Sequence, residues 1–352
     1  MTFLLSINFI ESDKFYQGEY YYLLLSSLLG ALVVSSSRDL LTIFIGIELA
    51  STPMFLLSGW KKGDRKSNEG AIKFFLLGVL SASLILYGFS LIYGLTGQLV
   101  FADISAYLLA NSLGSSPVLL LSAILVISGI GFKISVVPFH SWAPDTYEGA
   151  PLPITAYLSV SSKATGFVAL IVLLTKVFES SGQSWGVILA IVAGATMTLG
   201  NLVALQQTNP VRLLAYSSIS QAGFIIAPLA VSGITGNYQD GIFASVTYLI
   251  IYAFMNIGAF LSVHLFTNFT KSDNFYEWGG IAKHSPLTGV LTTVFFFSLA
   301  GIPPLGGWFA KFVVFRSLLS TGEIIGVSLA IVGAINAVIA LVYYARISKV
   351  IW

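Results

Sequence analysis

The chain has 352 residues, of which 56% are hydrophobic and 9% are charged, and its formal net charge is +2 at pH 7. A typical soluble domain carries roughly 25% charged residues, so a soluble globule of this size could not cover its surface with polar side chains. The small net charge argues against a nucleic-acid partner. The absence of cysteine excludes disulfides, thiolate metal sites and an iron–sulfur cluster held by this chain.

Apolar segments of about 20 residues, the length that crosses a bilayer, recur along almost the whole chain. We therefore expect an all-α, polytopic membrane protein with ten transmembrane segments. In chain order they cover residues 20–37, 39–59, 69–96, 116–137, 152–178, 184–206, 209–233, 241–267, 285–320 and 324–346.

Two of these segments contain helix-breaking residues. The fourth runs into "GIGFKISVVPFHSWAPDTYEG" (129–149), which predicts a break followed by a rigid turn. The ninth contains "AGIPPLGGWFAKF", with Pro303, Pro304, Gly306 and Gly307. Proline cannot donate a backbone hydrogen bond and glycine loosens the backbone, so this stretch predicts a second broken helix.

The basic residues fix an orientation. The loop "KKGDRKSNE" (61–69) carries four of them, which places it on the cytoplasmic side by the positive-inside rule. Alternating from this loop puts ten basic residues inside, Lys14 among them, and leaves Arg38 and Lys176 outside.

Weak internal symmetry suggests a repeat. "DLLTIFIGIELASTPMFL" from Asp39 and "RLLAYSSISQAGFIIAPL" from Arg212 both open with a leucine pair after a charge, and they place Glu48 and Gln221 at matching positions. We predict an N-terminal segment (1–19), a first five-helix repeat (20–178) and a second (184–347). Repeats with an odd number of spans are inverted relative to each other, as in many transporters with broken helices near the midplane.

Four titratable residues lie deep in the apolar segments: Glu48, Lys133, Lys163 and Lys311. A bare charge at the bilayer centre costs at least ~2.5–3.5 kcal/mol, and such residues usually face the bundle interior and have a function. Burial weakens the hold of a lysine on its proton, and a nearby carboxylate strengthens it. Since water can satisfy the free backbone groups of a broken helix, the four residues predict a proton relay.

Each of these groups also has a structural explanation. Glu48 could form a purely structural salt bridge, and Lys73, near a cytoplasmic helix end, could snorkel to the surface. His140 in "PFHSW" could cap or orient the broken helix, or it could transfer a proton. Asp145 and Glu148 are expected to cap or pin the loop that follows. The three histidines show no ligand-like spacing, so no metal site is predicted.

The motifs together resemble a known family, the antiporter-like membrane subunits of NADH-quinone oxidoreductase (respiratory complex I). The resemblance rests on "IGIELASTPMFLLSGWKKGDRKSNEGAIKFFLLG", "GFKISVVPFHSWAPDTYEGAPLPITAYLSVSSK", "NPVRLLAYSSISQAGF" and "GIPPLGGWFAKF", and it covers the chain from about residue 20 to the end. The form "PFHSWAPDTYEGAP" resembles the subunit N branch, called subunit 2 in mitochondria, rather than its larger paralogues.

The resemblance implies roles for individual residues. Glu48 matches the glutamate of the first proton half-channel, which pairs with the lysine of the first broken helix, Lys133. Lys163 matches the central lysine that passes the proton between the halves. Lys311 matches the lysine of the second broken helix, from which the proton leaves. Lys73 matches a lysine common in this subunit.

The resemblance also implies partners and a location. Family subunits hold no redox cofactor, so flavin, iron–sulfur clusters and quinone are expected in partner subunits. The other membrane-arm subunits, including paralogous antiporter-like ones, are expected partners. A bacterial inner membrane is the expected location, with the mitochondrial inner membrane or the plastid thylakoid as the alternative. The family's usual architecture has fourteen spans and this chain matches the fourth to the thirteenth, so we expect an incomplete chain.

Two alternative functions remain open at the level of sequence. One is a subunit of a multi-component sodium/proton antiporter with the same fold. The other is a scaffold in which the buried charges only hold helices together.

Overall fold

The computed structural model describes residues 2–11 and 18–352, which form α-helices joined by short turns. The helices are α1 (Thr2–Glu11), α2 (Glu19–Ser36), α3 (Leu40–Ser58), α4 (Arg65–Thr96), α5 (Phe101–Ala110), α6 (Pro117–Ile134), α7 (Trp142–Gly149), α8 (Leu152–Tyr157), α9 (Lys163–Lys176), α10 (Gly182–Ala204), α11 (Pro210–Thr235), α12 (Tyr238–Thr270), α13 (Ile281–His284), α14 (Pro286–Ala300), α15 (Gly306–Ser320) and α16 (Ile324–Ile351). Lys14 and part of the predicted N-terminal segment lie outside the described residues.

The predicted membrane segments correspond to helices. Within the described ranges, nine helical stretches are long and apolar enough to cross a membrane. The remaining predicted segment, the ninth (residues 285–320), is divided into the shorter helices α14 and α15, with the interruption at the Pro–Pro and Gly–Gly sequence. The expectation of an all-α polytopic membrane fold is thereby confirmed, while the inverted relation of two repeats stays a prediction.

The chain forms two compact units. The first contains the described residues up to Ser135 together with Phe139–Trp185, and the second contains Val136–Pro138 together with Gly186–Trp352.

In the first unit, helices pack closely through small residues and hydrogen bonds between helices. Helix α4 lies against α6, where the Ser81 hydroxyl donates to the Gly129 carbonyl (2.7 Å) and the Ser122 hydroxyl donates to the Gly88 carbonyl (2.8 Å). Hydroxyl-to-carbonyl bonds of this kind hold helices together in lipid, where burial of apolar surface gives no advantage over contact with lipid tails. The packing therefore fixes α6, the helix that carries Lys133.

The first break is a folded motif rather than the simple turn expected from the sequence. Helix α6 ends at Ile134, and Ser135 takes a left-handed conformation with φ 60°. The short helix α7 then lies against α4, with the Trp142 ring stacked on Phe74 at 4.2 Å. The Trp142 indole N–H donates to the Phe132 carbonyl (2.9 Å), which also accepts from the Ser135 N–H (3.0 Å), so this carbonyl at the end of α6 has two partners in place of the usual helical one.

The second break lies in the second unit, between α14 and α15. Gly301 ends α14 with φ 93°, a conformation that favours glycine. The Gly307 N–H in the first turn of α15 donates to the Ser298 hydroxyl (3.0 Å), so the two helices remain joined across the break.

The packing of α2 on α3 gives a test of this fold. A Cβ atom at Gly30 would lie 2.7 Å from the Leu49 carbonyl carbon and 2.8 Å from Ala50 Cα. We expect Gly30→Ala to lower the stability of the detergent-solubilised protein by about 1–3 kcal/mol, the usual effect of overpacking. The measurement is the thermal unfolding midpoint.

Gly94→Ala is the matched control, because a Cβ atom at Gly94 meets nothing within 4 Å. We expect this control to leave stability unchanged or to raise it by up to about 1 kcal/mol, since alanine favours a helix. Equal midpoints for the two variants would contradict the close approach of α2 and α3.

Candidate functional site

The first unit brings together two of the residues singled out in the sequence. Lys133 Nζ lies 3.3 Å from Glu48 Oε1 and 3.0 Å from the Ser51 hydroxyl. The lysine is 5% exposed and the glutamate side chain 27% exposed. The ammonium group also lies 5.6 Å from the Phe55 ring centroid and 5.9 Å from that of Phe132. One carboxylate, one hydroxyl and two aromatic faces therefore compensate a deeply placed cation.

A small cavity of about 10 Å³ adjoins this pair. Its lining combines apolar side chains with the polar groups of Ser51, Lys133, Ser162 and Thr165. A cavity needs roughly 10–15 Å³ open to the centre of a water molecule, and two to four polar partners, to hold one water. The cavity is therefore at the size that accepts a single water, and it extends from Lys133 to the residue that precedes Lys163.

Lys163 is 1% exposed and lies where the helix changes form. The stretch Leu158–Ser162 is a π-helical turn between α8 and α9, and Lys163 is the first residue of α9. Such widened turns occur mostly as single insertions and frequently at functional sites. No sequence signal predicts this turn, because "AYLSVSSKATGF" contains no proline and its one glycine follows the lysine.

In the second unit, Lys311 is compensated in a different way. It is 4% exposed, and its Nζ donates to two backbone carbonyls at the end of α14, Leu299 (3.2 Å) and Ala300 (2.6 Å). The Phe224 ring centroid lies 5.1 Å from Nζ. The end of α14 carries free carbonyls and the negative end of the helix dipole, both of which stabilise a cation. Within the described residues, Lys311 has no salt bridge.

A buried polar cluster surrounds Gln221. Its amide nitrogen donates to the Leu299 carbonyl (3.1 Å), the same oxygen that accepts from Lys311. Its amide oxygen accepts a hydrogen bond from the Tyr248 hydroxyl. The Tyr344 hydroxyl lies 3.4 Å from the amide nitrogen and is hydrogen-bonded to Ser217. Every member of the cluster is buried.

The two lysine sites use matching positions of the repeated motif. Glu48 and Ser51 contact Lys133 in the first unit. The positions that match them by sequence are Gln221, which shares a carbonyl with Lys311, and Phe224, whose ring lies beside Lys311. The prediction from sequence included only the Glu48/Gln221 match, although residues three positions apart lie on the same helix face and the second match follows from that spacing.

The remaining predicted residues lie around α7. Lys73 Nζ forms ion pairs with Asp145 (2.6 Å) and Glu69 (2.7 Å), and its side chain is 43% exposed. Glu148 pairs with Lys66 at 2.7 Å. The two acidic residues therefore pin α7 to α4, as expected, although they lie in a helix and not in a loop.

His140 is partly buried in the connection between α6 and α7. Within the described residues, no group of three or more histidine or acidic side chains could hold a metal ion.

The chain is similar to a known protein family, to relatives in sequence and to solved structures. Residues 37–337 match the family described as NADH:quinone oxidoreductase/Mrp antiporter, TM. The chain is 42% identical to NADH-quinone oxidoreductase subunit N 2 of Rhizobium meliloti (strain 1021), over 100% of this chain and 71% of the relative. The chain spans between 65% and 72% of the length of the curated relatives it matches.

Two solved structures share the fold. One is a chain of respiratory complex I from Thermus thermophilus with bound aureothin, with a TM-score of 0.79 and 30% identity over 100% of this chain and 74% of that chain. The other is a chain of the Mrp complex from Dietzia sp. DQ12-45-1b, with a TM-score of 0.84 over 94% of this chain and 60% of that chain. At 24% identity, this second likeness concerns the fold alone.

The burial of the lysines can be measured directly, because the chain contains no cysteine that would give background labelling. We expect a single cysteine in Lys133→Cys or Lys311→Cys to react slowly with a charged maleimide, since a thiol in apolar surroundings forms little thiolate. Lys73→Cys is the comparison, because the Lys73 side chain is far more exposed. Equal labelling rates at all three positions would contradict the buried sites.

Proposed function

The chain belongs to the NADH:quinone oxidoreductase/Mrp antiporter family of transmembrane proteins, and on that premise we propose that it is a proton-translocating membrane-arm subunit of an NADH-quinone oxidoreductase. Energy from quinone reduction in a partner module would drive protons through its buried glutamate and lysine residues. The chain then takes part in the enzyme reaction as a subunit, without holding the redox centre.

The observation that carries this proposal is the Glu48–Lys133 pair beside a cavity of the size of one water. A scaffold needs a compensated charge but no water next to it. A proton carrier needs both, because the lysine must exchange its proton with a group it does not contact. Ser162, the residue before Lys163, and Thr165 also line this cavity.

We propose a sequence of steps for the proton. The Glu48 carboxylate stabilises the protonated form of Lys133. When this ion pair weakens, Lys133 would release its proton to a water in the cavity, and from there the proton would reach Lys163. By the family resemblance, Lys163 passes the proton to the second half of the chain, and Lys311 releases it on the other side of the membrane. The halves would be the two predicted repeats, residues 20–178 and 184–347.

Lys73 and His140 have secondary roles in this proposal. The ion pair of Lys73 on α4 with Asp145 on α7 supports a role in positioning α7, and through α7 the break that follows Lys133. His140 lies in the connection from the break to α7, where it would either orient the break or deliver protons.

The proposal extends to partners and location. Flavin, iron–sulfur clusters and quinone would be held by partner subunits, and other antiporter-like subunits would adjoin this chain in the membrane. A bacterial inner membrane is the proposed location, with the mitochondrial inner membrane or the thylakoid as the alternative.

A second candidate function is a subunit of a multi-component sodium/proton antiporter. The family that the chain matches favours it, because the description of that family also names the Mrp antiporter. The two candidate functions differ in which subunits associate with the chain, and in whether quinone reduction drives transport.

We expect Glu48→Ala, Lys133→Ala and Lys311→Ala each to lower proton pumping coupled to quinone reduction by at least about tenfold, because positioned proton-transfer groups contribute roughly 10²–10⁴-fold. The assay is proton uptake by vesicles that contain the assembled complex. Lys283→Ala, which changes an exposed lysine of α13, is the matched control and should pump normally. Full pumping by all three site variants would favour the scaffold function.

We expect affinity purification of the chain from its native membrane to bring down flavin- and iron–sulfur-containing subunits, because the proposed reaction needs electrons that this chain cannot carry. The measurement is the visible absorption and subunit composition of the purified complex. Recovery of small membrane subunits alone, without flavin, would support the antiporter instead.

A further inference from the structure

Among the described residues, no carboxylate forms an ion pair with Lys311, whereas Glu48 pairs with Lys133. The helices packed against α15 are α11, α12, α14 and α16. Across these four helices and α15, the sequence contains a single acidic residue, Asp240 in the first turn of α12. Asp240 shares a cavity of about 50 Å³ with Arg316 and Ser317, which lie more than one turn beyond Lys311 on α15. The one acidic residue of these helices therefore lines a cavity with a different cation, Arg316.

The polar cluster next to Lys311 is neutral. Gln221 on α11 shares the Leu299 carbonyl with Lys311, Tyr248 on α12 and Tyr344 on α16 bond to Gln221, and α14 contains no titratable residue. The basic residues of these helices, Arg212, His264, Arg346 and Lys349, lie within the two turns nearest to a helix end. The charge on Lys311 thus depends on dipoles: two carbonyls, the end of α14 and one ring.

Gln221 acts on those dipoles. It donates to the Leu299 carbonyl, and so it holds one of the two oxygens that bind the Lys311 ammonium group. Its own orientation is fixed by the Tyr248 hydroxyl, which donates to the amide oxygen. The side chain is 1% exposed, so these bonds lie away from the surface of the protein.

The matching position in the first unit is occupied by a charge. Glu48 and Gln221 occupy the same place in the repeated motif, and the residues three positions further on, Ser51 and Phe224, each lie beside a lysine. The side chains differ by one atom group, an amide in place of a carboxylate. An ammonium ion beside a carboxylate is stabilised far more than one beside an amide.

We propose that Gln221 is a positioning residue for proton release at Lys311: it holds the Leu299 carbonyl while keeping a negative charge away, so that the second unit releases a proton that the first unit retains. This inference rests on the proposed function, since it assigns a direction to the same relay. The amide at position 221 and the carboxylate at position 48 would make the two lysines unequal, and the proton would move from the tighter to the looser site when energy is supplied.

The test converts the second site into a copy of the first. We expect Gln221→Glu, in the assembled complex, to move the alkaline limb of the pumping-rate profile to higher pH by about one unit or more, because a carboxylate a few ångströms away favours the charged lysine. Gln239→Glu is the matched control, because Gln239 is exposed on α12 of the same unit, and it should leave the profile in place. An unmoved profile in Gln221→Glu would overturn the proposal.

Gln221→Met keeps the volume and removes the amide, so it separates charge from positioning. We expect it to lower the maximal pumping rate without an alkaline displacement, because the Leu299 carbonyl and the Tyr248 hydroxyl lose their partner. Normal pumping by Gln221→Met would overturn the positioning role even if Gln221→Glu failed to assemble. Lys311→Ala, measured alongside, shows which proposal fails if the Gln221 variants behave normally. If Lys311→Ala also pumps normally, the proposed function is wrong; if Lys311→Ala does not pump, only the role assigned to Gln221 is wrong.

Discussion

The structure depends on one constraint, which is that a lysine placed deep among apolar helices must have its charge compensated. An isolated charge in such surroundings costs several kcal/mol, and the chain meets this cost in two ways. Lys133 is compensated by Glu48, an ionisable partner on another helix. Lys311 is compensated by backbone carbonyls exposed at the end of α14. The first partner can change its own charge and the second cannot.

The helix breaks follow from this constraint. In a continuous helix the backbone carbonyls accept hydrogen bonds from the next turn. The carbonyls that bind Lys311 are available only because α14 ends at Ala300. At the first break, α6 ends at Ile134, one residue after the lysine, and the Trp142 indole N–H donates to the Phe132 carbonyl at this end. The ion pairs of Lys73 and Lys66 hold α7 against α4, so α4 is connected through α7 to the break that follows Lys133.

Sequence alone predicted the membrane segments, both breaks and the four deep charges, because apolar length, proline and an isolated lysine are local signals. It could not predict the π turn before Lys163, since nothing in "LSVSS" differs from an ordinary helix. The sequence predicted a turn at 138–149, where the structure has α7. This helix is stabilised by contacts with Phe74 and Gly70 on α4, which are distant in sequence and give no local signal. The carbonyl ligands of Lys311 were equally invisible, because a backbone group carries no sequence signature.

The central claim is that Glu48 controls the proton on Lys133, and a double-mutant cycle on proton pumping tests it most directly. Glu48→Gln, Lys133→Met and the double variant would be compared with the unaltered complex in the same vesicles. If the two side chains act as a unit, their effects are not additive, and the double variant should pump no worse than the weaker single variant. Losses that multiply, as they do for independent sites, would contradict the account.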